Sequence, residues 1–457
     1  MYFKKQSSKI TLSFKKQGFA MKRFIIEKLL HWHGSIKPKP LILRGARQVG
    51  KTWAVKKFAA QHLNNRIHIV DFEKHPDWHR VFEKNLETKR IISELELLLN
   101  KSIILDKDLL FFDEIQSCPR AIMALRYFYE DLPELKVIAA GSLLEFALKE
   151  ISFPVGRVQF MDMYPMVFTE FLYGLGKDIM ADTLISGSKD FSENIHQMFL
   201  EQLRLYFFIG GMPECVKTYR DFNKLKRVSD IQEGLIEAYR ADFSKYAAYS
   251  DKRCLNSVLT NTARFSGQQI KYSRLSDDFT QPTNKKAFDL LNMARIIYKI
   301  PSASPGGFPL SVLASDKKFK ALLVDIGLMQ YLCGLNINEE IYKKDLLNIY
   351  NGALAEQFAG QELVAHSRNQ LYYWARDAKS SSAEVDYLVQ NSGKILPVEV
   401  KSGSAGRLKS MHLLLKTYPD ITKAYVLSQR PYEELPGQKL IFQPLYTAFS
   451  LVSNALI

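Results

Sequence analysis

The sequence predicts an α/β protein: an N-terminal parallel sheet, a helical middle with a winged-helix pattern, and a C-terminal α/β domain. Three observations carry this reading. Residues 45–52 are Gly-Ala-Arg-Gln-Val-Gly-Lys-Thr, a complete phosphate-binding loop. The apolar run Leu109–Phe112 ends in Asp113-Glu114, as a buried parallel strand ending at a ligand site does. Farther along, Glu384-Val385-Asp386 and Glu399-Val400-Lys401 alternate charged and apolar residues, the pattern of half-buried strands.

Pro40 opens the short apolar run Leu41–Leu43 before the loop, and Trp53, Val55, Phe58 and Ala59 fall near helical spacing after it, with Lys56 and Lys57 facing elsewhere. Strand, glycine loop and helix is the order such a site requires. The backbone N–H groups of Gly45, Ala46, Arg47, Gln48, Val49 and Gly50 would turn onto the phosphates. Lys51 would add its charge at the β- and γ-phosphates, and the Thr52 hydroxyl would hold Mg²⁺. ATP and Mg²⁺ are therefore the expected cofactors. Asp113, at a strand's carboxyl end, would hold the Mg²⁺ through water, and Glu114 is the candidate base that polarises the attacking water. A further strand, Val137–Ala140, runs into Gly141-Ser142; Ser142 is either a γ-phosphate sensor or the N-cap of a following helix. Another strand, Ile67–Val70, ends at Asp71. No Asn-Lys-x-Asp guanine-reading motif occurs, which favours ATP over GTP.

Four blocks carry a resemblance: Arg44–Thr52, Phe112-Asp113-Glu114-Ile115-Gln116, Ala140-Gly141-Ser142-Leu143-Leu144, and Ser152–Arg157 with the following Met163–Leu172. Together they resemble the bacterial and archaeal AAA-type ATPases that carry a C-terminal domain of unknown function, over nearly the whole chain from Met21. The resemblance implies that Arg157 neutralises γ-phosphate charge, supplied within the chain or by a neighbour in a homo-oligomer; a structural salt bridge is the alternative role.

At 457 residues the chain exceeds one ordinary core. The expected parts are a basic extension (1–20), an ATPase domain (21–190), a helical and winged-helix-like region (191–340) and a C-terminal domain (341–457). The 47% hydrophobic and 24% charged content is that of a soluble globular protein. No apolar run approaches the roughly 18 residues of a membrane span, and no secretory h-region is evident, so no membrane partner is expected. Cys118, Cys215, Cys254 and Cys333 show no Cys-x-x-Cys spacing, which suits a reducing cytoplasm better than a disulfide framework. The formal net charge of +15 favours a polyanionic partner, nucleic acid and DNA in preference. Glu27 is the one acidic residue before Asp71. Residues 1–20 read as a disordered extension, or an upstream start, rather than as a DNA-binding arm.

In the middle region Leu205–Ile209 runs into the turn signal Gly210-Gly211-Met212-Pro213. From Cys254 to Gly334 the pattern suggests a winged helix. One helix covers Leu255–Phe265, a second begins near Ser273, and a third follows Pro282 with Thr283 as N-cap and Ala287, Leu290, Leu291 and Ala294 on one face. Ile296–Ile300 would be a wing strand and residues 301–309 the wing tip. Asn284, Lys285 and Lys286 open the third helix, where a helix-turn-helix meets base edges. A protein contact or a plain solvated face would use the same residues, and Asp277-Asp278 is acidic where phosphate would approach.

At the C-terminus, Gly352–Glu356 opens an amphipathic helix, followed by the strands with Glu384 and Asp386, then Glu399 and Lys401, each pair on one strand face. The order is similar to the PD-(D/E)XK nuclease core. By that resemblance Asp386 and Glu399 would bind Mg²⁺ with Glu356 assisting, and Lys401 would orient water or stabilise developing charge. Phosphodiester hydrolysis needs hard carboxylate oxygens for the metal and a nearby cation. The sequence thus points to an ATPase that acts on DNA through a winged helix and a Mg-dependent nuclease-like domain. The alternative is a regulatory ATPase whose C-terminal domain binds protein or nucleic acid without cleaving.

Overall fold

The first sheet arises from short apolar strands separated by helices, which forces parallel pairing. It comprises β1 (Leu41–Arg44), β2 (Ile67–Asp71), β3 (Leu109–Asp113), β4 (Lys136–Ala140) and β5 (Gln159–Asp162) in the order β2-β3-β4-β1-β5. Alternate residues of each strand feed opposite faces. Leu41, Leu43, Leu109, Phe111 and Ile138 pack under α1 (Phe24–His33) and α2 (Lys51–His62). Ile42, Val70, Leu110, Phe112 and Val137 pack under α3 (Thr88–Leu99) and α4 (Pro119–Asp131). Both faces being covered, β3 is buried at every position. On α2, Val55, Phe58 and Ala59 face this core as the spacing predicts, but Trp53 is exposed and Ala54 takes the inward place. The sheet continues through α5 (Leu144–Glu150) to β5, then α6 (Phe168–Gly174) and α7 (Asp178–Ile185).

The computed structural model describes residues 21–150, 156–188, 191–244, 250–334, 351–367, 370–376, 383–401 and 408–452. The basic extension 1–20, residues 152–155 of the resembling block, and Ser402 and Gly403 lie outside the described residues. No described helix is long and apolar enough to cross a membrane.

The middle is helical: α8 (Glu193–Ile209), α9 (Pro213–Phe222), α10 (Leu225–Asp242), α11 (Lys252–Arg264) and α12 (Gln281–Met293). The Gly210-Gly211 turn between α8 and α9 is fixed by close approach: a Cβ on Gly211 would lie 2.0 Å from the Met166 carbonyl oxygen. The winged-helix expectation needs three corrections. Only a single 3-10 turn, Tyr272–Arg274, stands near Ser273 in place of a second helix. The third helix starts earlier, with Thr280 at the N-cap and Pro282 inside its first turn, where proline's missing N–H costs nothing. The wing strand β6 (Ile297–Ala303) runs through part of the expected tip and pairs antiparallel with β7 (Ala314–Leu323).

That hairpin does not stand alone. After α13 (Ile326–Leu332) and α14 (Asn351–His366) come β8 (Tyr372–Ala375), β9 (Glu384–Asn391), β10 (Lys394–Val400), α15 (Lys409–Thr417), β11 (Ala424–Ser428), β12 (Glu433–Leu435) and β13 (Leu440–Pro444). The strands form one sheet in the order β12-β13-β11-β10-β9-β8-β6-β7. β6 joins β8 in parallel at Ser302 and Tyr373. α15 covers one face with Met411, Leu414 and Leu415. α14 is not amphipathic as expected: it is buried from Leu354 to Leu363 without a solvent face. Two of its buried glutamines are bonded internally. Gln357 exchanges hydrogen bonds with the Leu323 N–H (3.0 Å) and carbonyl (2.8 Å), and Gln361 accepts from the Ile326 N–H.

Candidate functional site

The phosphate loop leaves the carboxyl end of β1 and ends at the first turn of α2, where free N–H groups and the helix dipole favour an anion. A Cβ on Gly45 would lie 2.2 Å from the Met163 carbonyl oxygen, so only glycine lets the loop pass the chain leaving β5. Gly50, at φ 96°, sets the left-handed turn into the helix. Lys51 is buried and its Nζ donates to the carbonyls of Gly45 and Ala46, each at 2.9 Å. Burial lowers its ammonium to about 8, opposed by the nearby Glu114 and Asp113 carboxylates.

The Thr52 hydroxyl donates to Asp113 Oδ1 at 3.1 Å, so the two side chains expected at Mg²⁺ are in contact. Burial raises the Asp113 carboxyl to about 6, despite the lowering hydrogen bond from Thr52. Glu114 follows in a left-handed conformation. Gln116 Nε2 donates to Glu114 Oε2 at 2.6 Å, and Gln116 Oε1 would sit 2.1 Å from a Cβ on Gly141. Gln116 thus bridges the end of β3 to the end of β4. Because β4 lies between β3 and β1, the half-buried Ser142 falls between Asp113 and the phosphate loop. It stands two residues before the first residue of α5.

Arg157 is placed differently. It precedes β5 at the amino edge of the sheet, whereas the phosphate loop lies at the carboxyl edge, since Gln159 pairs with Leu41 and Asp162 with Arg44. The strand alone spans roughly 13 Å and separates Arg157 from its own chain's phosphate loop. Its Nε instead pairs with Glu130 at 2.8 Å on an exposed face.

Of three arginines around the loop, Arg23 and Arg295 were not singled out from the sequence, and Arg47 was expected to act only through its backbone N–H. Arg47, a loop residue, reaches Asp242 on α10 at 2.5 Å, and the Tyr239 hydroxyl donates to the Arg47 carbonyl. Arg23, buried, donates to the Val49 and Tyr164 carbonyls and pairs with Glu170 at 3.0 Å. Arg295, in the turn before β6, pairs with Glu145 (3.0 Å) and Asp162 (3.2 Å); Arg44 shares both acids. The Arg47, Arg295 and Arg23–Glu170 pairs join partners more than a hundred positions apart, and no local pattern announces them.

In the middle region Asn284 is fully buried. Its Nδ2 donates to the carbonyls of Tyr272 (3.0 Å) and Ser276 (2.8 Å), clipping the loop before α12, so it does not face a base edge. Lys285 and Lys286 are exposed.

The C-terminal residues converge as the strand alternation predicts. Val400 N–H donates to Asp386 Oδ2 at 2.8 Å, and Lys401 Nζ reaches Glu399 Oε1 at 2.5 Å. Glu399 is buried with Oε2 unpartnered, and burial raises its carboxyl to about 7. The sequence reading missed Lys320 of β7. Its Nζ lies 2.7 Å from Glu356 Oε1, 2.6 Å from Glu384 Oε1 and 3.2 Å from Asp386 Oδ1. Burial alone would lower the Lys320 ammonium, but Glu356, Asp386 and Glu384 hold it well above its ordinary value. Among the described residues no group of three or more His, Cys, Asp or Glu side chains is spaced to hold a metal ion.

The first sheet and its loop define a P-loop ATPase domain. Residues 37–172 match the AAA domain family, which supports a P-loop ATPase domain of AAA type in this part of the chain. Residues 200–339 match a domain of unknown function, DUF8612, and residues 351–445 another, DUF4143. No curated protein matches the chain. Among solved structures, the Walker-type ATPase paby2304 of Pyrococcus abyssi is 17% identical, with 69% of this chain and 96% of that one covered and a TM-score of 0.44. Thermotoga maritima RuvB T158V is 13% identical over 59% of this chain and 87% of that one, with a TM-score of 0.27. The Aeropyrum pernix ORC1 protein in complex with DNA is 13% identical over 68% and 90%, with a TM-score of 0.25.

Proposed function

We propose that this chain hydrolyses Mg-ATP at its phosphate loop and uses the nucleotide state to control how its other parts engage nucleic acid, DNA in preference. The observation that carries the reading is the wiring of the loop itself. Arg47 is bonded to α10 through Asp242, and Arg295 ties the turn before β6 to Glu145, three residues beyond Ser142. A phosphate that draws Arg47 toward itself pulls on the first link, and one that draws Ser142 pulls on the second.

Within the site, the loop N–H groups and Lys51 hold the phosphates, and Thr52 and Asp113 fit a Mg²⁺ ion by their contact and oxygen chemistry. Such an ion would supply positive charge against the nucleotide's phosphates. Glu114, held by Gln116, accepts the proton of the attacking water, and Ser142 contacts the γ-phosphate. Arg157 serves a neighbouring copy in a homo-oligomer, being exposed and remote from its own loop. The division into an ATPase part (21–190), a winged-helix-like part (191–340) and a nuclease-like part (341–457) goes with this reading, amended in that β6 and β7 hydrogen-bond into the last sheet. The net charge of +15 and the exposed Lys285 and Lys286 support a nucleic-acid partner in the cytoplasm.

A second reading, a regulatory ATPase whose C-terminal domain binds without cleaving, is favoured by Lys320 among the carboxylates. The test of the main reading is ATP hydrolysis by wild type and Lys51→Ala, with and without single-stranded and duplex DNA, alongside DNA binding across a salt series. Coupling predicts DNA-dependent hydrolysis and a steep log–log salt slope. Hydrolysis indifferent to DNA, with no salt-dependent binding, overturns it.

A further inference from the structure

The nuclease-like order of Glu356, Asp386 and Glu399 calls for a divalent cation, and the donor set can be tested for one. A Mg²⁺ site needs oxygens free to approach to about 2.0–2.1 Å in near-octahedral array. Here each carboxylate has at least one oxygen committed elsewhere, and among them Glu399 Oε2 alone is buried without a partner. Asp386 Oδ2 accepts from the Val400 N–H, and Glu399 Oε1 is bound to Lys401. Glu356 Oε1 and Asp386 Oδ1, together with Glu384 Oε1, converge on the Lys320 ammonium at 2.6–3.2 Å. An ammonium has three N–H donors; Glu356 Oε1 and Asp386 Oδ1 accept from it, and Glu384 Oε1 lies within ion-pair distance. Lys320 is 1% exposed, so it is not a surface side chain that folded over the acids. It projects from β7, with its Nζ 5.4 Å from the Tyr373 ring centroid. A second cation placed among these oxygens would meet a fixed positive charge at its centre. The residues present therefore fit a lysine and not a divalent ion.

We propose that the ammonium of Lys320 takes the place of the divalent metal in the C-terminal acidic site, so that this domain keeps its geometry without metal and does not cleave phosphodiesters through a metal-bound water. The inference rests on the nuclease-like reading for the kind of site, and on the β7 geometry for its occupant. It makes the hairpin an internal counter-ion for α14 and β9, locking three elements by charge. It also explains why the carboxylates survive burial: Glu356 is 7% exposed, and a buried carboxylate without a cation is strongly destabilising. The remaining pair, Glu399 with Lys401, neutralises itself.

The test uses the full chain without nucleotide and Mn²⁺ as the probe, read by electron paramagnetic resonance, in wild type, Asp386→Asn, Lys320→Ala and the double variant. Wild type is expected to show no Asp386-dependent Mn²⁺ up to about 1 mM, the weak end of protein cation sites. Lys320→Ala is expected to gain one Mn²⁺, lost again in the double variant, and its lowered melting temperature is expected to rise with added Mn²⁺ while that of wild type does not. If Lys320→Ala does not fold, Lys320→Ala with Glu356→Gln removes one of the stranded charges and is measured instead. An Mn²⁺ ion bound by wild type and removed by Asp386→Asn overturns the proposal, as does a folded lysine-free variant that takes up none. A variant that gains Mn²⁺ yet leaves every DNA form intact sinks the nuclease-like reading alone and leaves the cation substitution standing.

Discussion

Glu362 offers a quantitative test of how the ATPase part is joined to the C-terminal part. Its side chain projects from α14, is fully buried, and accepts a hydrogen bond from the Phe168 N–H at 2.8 Å, at the first residue of α6. Burial pushes its carboxyl up to about 8 from an ordinary value near 4.5, against the lowering effect of that bond. Between those two values the folded protein holds a proton that the unfolded chain has released, so stability is lost as pH rises through the window and is fully recovered only below about 4.5. From pH 6 to just above 8 the loss is about 3 kcal/mol. Glu362→Gln has no proton to lose and keeps an oxygen for the Phe168 N–H. The variant should therefore gain about 3 kcal/mol on wild type between pH 6 and pH 8.5. His366, one turn along α14, is held near 4 by burial and stays neutral throughout, and Lys51 titrates alike in both proteins. Urea unfolding at a series of pH values, followed by tryptophan fluorescence, measures the gap. A gap that stays constant across the range refutes the reasoning, because Glu362 would then titrate like an exposed carboxyl.

Three further outcomes follow from the site geometry. Glu114→Gln should lower kcat by roughly 10²–10⁴-fold, the usual contribution of a general base, with ATP affinity nearly unchanged in a fluorescent-nucleotide titration; equal loss of both would make Glu114 a binding group. Gly45→Ala forces a Cβ to within 2.2 Å of the Met163 carbonyl oxygen, so stability should fall by about 3 kcal/mol or more and nucleotide-induced thermal stabilisation should vanish. Asn284→Ala strands the buried Tyr272 and Ser276 carbonyls and should cost about 2–3 kcal/mol in urea unfolding, while DNA affinity of the folded variant stays at the wild-type level; a selective loss of affinity would return Asn284 to the role of a base reader.

Legibility tracked the range of the interactions. The phosphate loop and β3 were plain because their signals are local: a glycine spacing before a helix, and four apolar residues before an acid. Thr52 and Asp113, far apart in sequence, still meet because each sits at the end of its own recognisable element. Strand alternation likewise placed Asp386 and Glu399 on neighbouring strands. Failures came where a polar residue found a distant internal partner. Gln357, Gln361 and Glu362 gave α14 a polar stripe that reads as a solvent face, but Leu323, Ile326 and Phe168 supply backbone partners that let it sink into the core. Asn284 resembled a base reader for the same reason. Trp53 looked like core because it is large and apolar, yet the helix turns its neighbour Ala54 inward instead. Lys320 carried no signal, since its partners lie between 36 and 66 positions later.

The shared sheet also dictates an order of events during synthesis. β7 is complete once Leu323 has emerged, but the strand that bridges its hairpin to the rest of the sheet, β8, begins only at Tyr372. At roughly 5–20 residues per second, the nascent hairpin waits several seconds with an open edge and with Lys320 lacking the acids that will enclose it. Burying the Lys320 ammonium before its counter-charges arrive is costly. The three-carboxylate surround of Lys320 is therefore complete only after Asp386 has been made.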